Sequence, residues 1–459
     1  MNNPYNFQEH QHFFFVGIAG TGMSAIAQYL RGIGKKVSGS DRIFKPEGKM
    51  LIQEQFEKQG IQCYFQDASG LTSDVDVLIV STAIEESNVE YQKAKQLNIP
   101  IIKRSELLAS ISRTKRTIAV GGTSGKSTTT AMIFHILDQN NVSPSIMSGA
   151  GLTTLQEKGL PGNAWVGKSD WLVIEADESD GSIVNYTSEI ALLLNMDRDH
   201  KEYDELTDLF KTFRSHTTKT FIVNQSHPKS KTLSLNKADD FGVETDCGFN
   251  GSKFQQKGFS ISFDCNGTPV TLPVIGKHNM ENALAAIACC HAVGVSIEKS
   301  AEALRSYKGI YRRTQVAGEV KGVTVIDDFA HNPAEVVCAI KACQTAGKRV
   351  LAWFQPHGFG PLRFMHKELE QEVMASLRPD DLFILSDVYY AGGTVTREVT
   401  TADVVKEIQK YSEQIVYFPD RKEFIPYLQK NAKEGDIVLI MGARDTTLSD
   451  FAKEIVESI

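Results

Sequence analysis

The sequence predicts an α/β fold in three domains. The outer two are Rossmann-like with parallel sheets, and the central one is an α/β domain with a small antiparallel part. Three observations carry this. A chain of 459 residues is too long for one ordinary domain. Three times an apolar strand-like run opens a unit and polar or glycine-rich residues follow it: "HFFFVGIAGTG", "TIAVGGTSGKS" and "GVTVIDDFAHNP". Between these openings, strand-like runs alternate with helical periodicity, the rhythm of βα units in a parallel sheet.

Taken in order, residues 1–113 form the first domain. The run from His12 meets glycines and then the helical "MSAIAQYL", and "KKVSGSD", "DVLIVSTAI" and "IPIIKRSELL" continue the alternation. The basic, apolar-poor "SRTKR" from Ser112 to Arg116 is the joint. Residues 114–313 form the second domain, with "DWLVIEADE" and "IALLLNMDRDH" as further strands and "HNMENALAAIACCHAVGV" as a helix. Within it, the weak alternation from Asn224 to Thr271 suggests small antiparallel strands and loops. Residues 314–459 form the third domain, with strands in "RVLAWFQPH", "DLFILSDVY", "QIVYFP" and "DIVLIMGARD". Helical patterns such as "TTADVVKEIQKY" separate them.

Hydrophobic residues make up 41% and charged residues 23%, an ordinary globular composition. A net charge of −7 gives no general attraction to nucleic acid or anionic lipid, so any anion site must be built locally. The seven cysteines show no C-x-x-C pair and read as reduced thiols of a cytoplasmic protein. The opening "MNNPYNFQEHQ" lacks the basic and apolar regions of a signal peptide, and no apolar run approaches the ~20 residues of a membrane span. The expectation is a soluble monomer or homodimer with neither nucleic acid nor membrane as partner.

Two glycine loops stand out. Gly17-x-x-Gly20-x-Gly22 departs from the G-x-G-x-x-G dinucleotide spacing. It still permits backbone N–H groups and a helix N-terminus to approach a diphosphate, with Asp41 ending the next strand as a ribose partner. A packing turn is the alternative. The second loop, Gly122-Thr123-Ser124-Gly125-Lys126-Ser127-Thr128, is one residue short of the usual phosphate-loop pattern, because Val120 stands where the first glycine belongs. Its strand–loop–helix setting is that of a phosphate cradle, which makes the central domain P-loop ATPase-like. Lys126 would neutralise phosphate charge and Ser127 would ligate Mg²⁺. Acidic strand ends follow: Glu175, Asp177, Glu178 and Asp180, then Asn195, Asp197, Asp199 and His200. In a parallel sheet such ends gather on one rim beside the loop.

The ordered set "GTSGKSTTTAM", "EADESD", "NMDRDH", "GKHNMENALAA", "YRRTQ", "DDFAHNP" and "FQPH" resembles the Mur ligases over nearly the whole chain. The front segments "FVGIAGTGMSAIA", "VSGSD", "STAI" and "KRSELL" are most similar to the members that add L-alanine to UDP-N-acetylmuramate. The resemblance implies an ATP-dependent amide ligase acting through an acyl phosphate, with Mg²⁺ held by Ser127, Glu175 and His200. It implies nucleotide contacts from the loop and from His278, Asn279, Asn282, Arg313 and Asp328, with Lys126, Glu175, His200, Arg313 and His331 as the catalytic set. It assigns Gly17, Gly20, Thr21, Gly22, Met23, Asp41, Ser81, Thr82 and Ala83 to the UDP-sugar. The partners implied are UDP-N-acetylmuramate and an amino acid or short peptide.

Some residues depart from the family pattern. Ser124 stands where the loop commonly has His, and Asn332 replaces the second His of an H-H-P motif. Gly358 and Pro361 replace two arginines expected on the acceptor side, leaving Arg363 as a substitute and the acceptor open: L-alanine, a recycled L-Ala-γ-D-Glu-diaminopimelate peptide, or another amino acid. The lysine that later-acting members carbamylate falls near Thr212, with Lys211 adjacent, read here as a solvated helix lysine. A folylpolyglutamate synthase-type ligase, a nucleotide sensor with a remnant site and an NAD-dependent oxidoreductase are the remaining alternatives.

Overall fold

The computed structural model describes residues 5–45, 47–179, 181–197, 202–390 and 398–459. Five strands open the chain: β1 (His12–Val16), β2 (Lys36–Asp41), β3 (Gln62–Phe65), β4 (Val77–Val80) and β5 (Ile101–Lys103). They form an all-parallel sheet in the order β3-β2-β1-β4-β5. "HFFFV" is apolar almost throughout because β1 is central and covered on both faces, where alternation has no purpose. The order reverses at β1, and the crevice between the C-terminal ends of β1 and β4 is where a doubly wound sheet takes its ligand.

The second sheet comprises β6 (Arg116–Gly121), β7 (Ser145–Met147), β8 (Ala164–Trp165), β9 (Trp171–Glu175), β10 (Ser188–Leu193) and β11 (Thr217–Val223), ordered β11-β10-β6-β9-β7-β8. All pairs are parallel except β7 with β8. Here β6 runs between β9 and β10, so the phosphate-type loop after β6 opens beside the ends of both. A four-stranded sheet follows: β12 (Phe241–Val243), β13 (Phe249–Lys257), β14 (Ser260–Cys265) and β15 (Thr268–Leu272). Its first pair runs parallel, against the antiparallel expectation. The link between the two strands, with Glu244 at φ 51°, carries the chain back to the start of the next strand without reversing it.

The last sheet comprises β16 (Gln315–Val320), β17 (Val323–Asp328), β18 (Arg349–Gln355), β19 (Leu382–Leu385), β20 (Ile415–Tyr417) and β21 (Asp436–Gly442), ordered β16-β17-β21-β18-β19-β20. Only β16 is antiparallel to its neighbour. Two apolar clusters cover its faces, one around Phe354 and Ile340 and one around Trp353 and Phe451.

The chain divides into two compact units. The first is residues 1–253, 263–270 and 281–310; the second is residues 254–262, 271–280 and 311–459. The first two sheets share the first unit and one continuous apolar cluster running from Phe13 and Ile26 to Leu193 and Phe213. Among the described residues, no helix is long and apolar enough to cross a membrane.

Candidate active site

In the first unit, β6 delivers the chain into Gly122 at φ 138° and Gly125 at φ 84°, conformations that side chains rarely adopt. A Cβ on Gly125 would also lie 2.6 Å from Asn282 Oδ1, and one on Gly122 3.0 Å from Leu194 Cβ. The tight cradle therefore requires both glycines, and the loop works one residue short because the helix Lys126–Gln139 starts directly on Gly125. No side chain caps that helix, which leaves its first N–H groups for an anion.

Asn195 braces the loop. Its Oδ1 accepts from Thr123 Oγ1 (2.9 Å) and Ser124 N–H (2.8 Å), and its amide donates to the Ser124 carbonyl (3.0 Å). Thr123 Oγ1 in turn accepts from the Asp197 N–H at 3.0 Å. Thr128 lies in the first helical turn, and Thr129 Oγ1 donates to Asn282 Oδ1 at 3.3 Å. Lys126 Nζ reaches the Gly122 carbonyl at 2.7 Å and Glu178 Oε2 at 2.8 Å. Burial works to lower the Lys126 pKa, but Glu178 and Asp177 outweigh it, so the ammonium is held above its ordinary value. Burial pushes the Glu178 carboxyl up, with Lys126 opposing.

Ser127 Oγ donates to Glu175 Oε2 at 3.0 Å, while Ser148 Oγ (2.8 Å) and the Gly149 N–H (2.6 Å) hold Glu175 Oε1. A hydroxyl and a carboxylate brought together in this way are the hard oxygen donors that Mg²⁺ prefers. Asp180, Asp199 and the third expected ligand, His200, lie outside the described residues.

A cavity of about 350 Å³ in the same unit is lined by Gly17 and Gly20 of the first loop, Thr21, Gly22 and Met23 at the start of the helix that follows, Ser81 after β4, Glu175 at the end of β9 and Asp177 beyond it. Gly17 takes φ 74°, and the helix Thr21–Gly32 begins at Gly20 with no side-chain cap. Of the residues assigned to the UDP-sugar, Asp41, Thr82 and Ala83 are not in this lining. Asp41 accepts from the Ala19 N–H (3.0 Å) and the Ile43 N–H (3.2 Å), so its carboxylate shapes the glycine loop. Arg104, which the sequence left without a role, lines the cavity with its guanidinium against Gly22: a Cβ there would be 3.1 Å from Nη1. The signal was present in "KRSELL", but only the fold brings that helix start to the glycine loop.

A second cluster lies within the second unit. The neighbouring arginines of "YRRTQ" divide their work. Arg312, at φ 55° and 3% exposed, pairs with Asp327 (2.9 Å) and donates to the Gly442 carbonyl (2.7 Å), a structural role. Arg313 stacks over Phe329 at 5.2 Å and acts electrostatically on His278, Asp328, His331 and Glu335. Asp328 accepts from the N–H groups of Thr314 (2.6 Å) and Ala330 (2.7 Å), and burial, opposed by Arg313, pushes it up to about 6. Asn279 turns its amide onto the Ile275 carbonyl at 2.8 Å. His331 Nδ1 lies 3.0 Å from Glu335 Oε2.

Gly358 stands at φ 102° and ψ 148° ahead of the helix Phe359–Glu368, a backbone that an arginine would strain. Arg363 is already paired with Glu398 at 2.7 Å. Lys211 is an exposed helical lysine 3.3 Å from Asp208.

The chain matches known proteins along nearly its whole length. The Mur ligase family catalytic domain matches residues 12–116, the Mur ligase middle domain residues 120–290, and the Mur ligase, glutamate ligase domain residues 312–444. The UDP-N-acetylmuramate–L-alanine ligase of Pelotomaculum thermopropionicum is 33% identical, covering 95% of both chains. That of Caldanaerobacter subterraneus subsp. tengcongensis is 34% identical, also over 95% of both. In fold, the chain is similar to the UDP-N-acetylmuramate–alanine ligase of Thermotoga maritima, with a TM-score of 0.80, 24% identity and coverage of 98% and 99%. The murein peptide ligase of Psychrobacter arcticus aligns with a TM-score of 0.68, 20% identity and coverage of 98% of each chain. With full-length relatives at this identity and all three domain types in order, the chain belongs to the Mur ligase family.

Proposed function

We propose that this protein is an ATP-dependent acid–amino-acid ligase (EC 6.3.2.8) that joins L-alanine to UDP-N-acetylmuramate in the cytoplasm, an early step of peptidoglycan precursor synthesis. The observation that carries the reading is the double use of Glu175: the carboxylate that meets Ser127 of the phosphate loop also lines the cavity of the first glycine loop. A nucleotide's phosphates and the carboxylate of a sugar-bound substrate would thus meet at one rim.

In this reading the uncapped helix start at Gly20 and Arg104 hold the UDP diphosphate, with Ser81, Thr82, Ala83 and Asp41 around the nucleoside and sugar. The phosphate loop with Lys126 holds ATP, with Asn282 against it, and the resemblance counts His278, Asn279, Arg313 and Asp328 among the nucleotide contacts. Ser127, Glu175 and His200 would hold Mg²⁺, whose charge would offset that of the phosphates. The substrate carboxylate attacks the γ-phosphorus, ADP leaves, and the resulting acyl phosphate is attacked by the acceptor amine, which releases phosphate. Lys126 stabilises the charge that develops on the transferring group, a role that the resemblance gives Arg313 as well. Residues 1–113 are assigned to the UDP-sugar, 114–313 to ATP and 314–459 to the acceptor.

The test is a panel of amino acids and short peptides assayed for phosphate release that depends on UDP-N-acetylmuramate. L-Alanine should give the highest kcat/KM. A preference for L-Ala-γ-D-Glu-meso-diaminopimelate would replace the acceptor while keeping the ligase, and release with no sugar dependence would remove both.

A further inference from the structure

Four side chains of the second unit form an arrangement that the ligase scheme above does not use. His331 follows β17, and the helix Pro333–Gln344 starts two residues later, capped by Asn332 Oδ1 on the Glu335 N–H at 2.9 Å. That cap fixes the first turn, so Glu335 Oε2 reaches back to His331: 3.0 Å to Nδ1 and 3.2 Å to its backbone N–H. The other neighbour of Nδ1 is the Phe329 carbonyl at 3.2 Å. Both neighbours are acceptors only, so the proton sits on Nδ1 and the neutral ring presents its lone pair at Nε2. Next to it stands His357, after β18, with ring centroids 5.3 Å apart and planes at 70°. His357 Nδ1 is buried without a hydrogen-bond partner, a condition that marks a place for a ligand's polar group.

We infer that Glu335 is a positioning residue for His331, which takes a proton from the acceptor's ammonium group at Nε2 so that the amine can attack the acyl phosphate. The inference rests on the ligase reading. One proton passes from the ammonium to His331. The nitrogen then forms the C–N bond, the carbon–oxygen bond to phosphate breaks, and phosphate leaves with the electron pair and the second nitrogen proton.

Electrostatics agree. Burial works to lower the His331 pKa, but Glu335 outweighs burial and Arg313 and holds it above the ordinary value, which strengthens the base near neutral pH. Glu335 itself, with burial opposed by His331 and Arg313, is held down to about 2 and stays charged. The other groups facing this pair are Arg313 before β16, Asp328 at the end of β17, and His357. Burial, with His331 and Arg444 after β21, lowers His357 to about 4, so it remains neutral.

Hydroxylamine separates positioning from mere structure, because it is largely uncharged at neutral pH and captures an acyl phosphate without a base. In the full-length enzyme, Glu335→Gln should lower kcat/KM for L-alanine at pH 7 by about 10²-fold. It should shift the acid limb of the pH profile to lower pH and leave hydroxamate formation from UDP-N-acetylmuramate, ATP and hydroxylamine unchanged. Glu335→Asp should recover part of the loss. Equal loss with both acceptors, or an unmoved acid limb, overturns the role of Glu335. A wild-type enzyme that makes no hydroxamate overturns the ligase reading and this inference with it.

Discussion

At the scale of single residues, the phosphate loop sets a conflict that the protein resolves with one ion pair. Lys126 is buried to 16% side-chain exposure and Glu178 to 6%, at 2.8 Å. On the ligase reading, a phosphate arriving at the loop must compete for that ammonium, so Lys126 would carry both local stability and phosphate recognition. Lys126→Ala should lower kcat by about 10³-fold, the scale for removing a donor aimed at developing charge. Binding of UDP-N-acetylmuramate, read by calorimetry, should remain. The same change strands a buried carboxylate, so the variant should also lose stability. Adding Glu178→Gln should restore the melting temperature without restoring turnover, and normal turnover in Lys126→Ala would dismiss the loop as a phosphate site.

At the scale of elements, the helix Phe359–Glu368 shows why a missing arginine need not be a lesion. Its approach passes through Gly358 at φ 102° and ψ 148°, a region essentially reserved for glycine. Gly358→Arg should therefore cost about 1–3 kcal/mol in unfolding free energy and leave the KM for L-alanine no better. A variant that is fully stable and binds alanine more tightly would mean that the loop readily accepts the family's residue. The sequence could not disclose this, because a glycine's φ depends on where the chain must go next. What was legible followed from short-range spacing: the strand–loop–helix around Lys126, the Ser127 hydroxyl, and the acidic end of β9 at Glu175. Arg104 and Glu335 escaped because each acts on a residue that only the folded sheets or a helix cap bring within reach; Glu178 and Asn195 were read onto the rim, but not their contacts with Lys126 and with the loop. Asp41 also accepts from the N–H groups of Ala19 in the glycine loop and Ile43 in its own, contacts invisible to spacing.

At the scale of the molecule, the cavity is a joint product of the first two sheets, since Gly20 and Arg104 come from one and Met147, Ser148 and Glu175 from the other. The weld between them is polar and buried. Asn163 donates to the Thr21 carbonyl (2.8 Å) and Ser24 Oγ (2.6 Å) and accepts from Gln28 Nε2 (2.7 Å), all on the helix that starts at the cavity. A ligand bound there holds both walls, so UDP-N-acetylmuramate at 100 times its Kd should add about 2.7 kcal/mol of stability, visible as a raised melting temperature. Asn163→Ala leaves Gln28 and Ser24 short of partners and should cost about 1–3 kcal/mol. It should also weaken sugar-nucleotide binding, although Asn163 is absent from the lining. Arg104→Ala, which removes a side chain lining the cavity, should weaken binding of the sugar nucleotide. If instead Asn163→Ala lowers stability but leaves affinity intact, the two walls are held by their shared apolar cluster alone, and the polar weld plays no part in shaping the site.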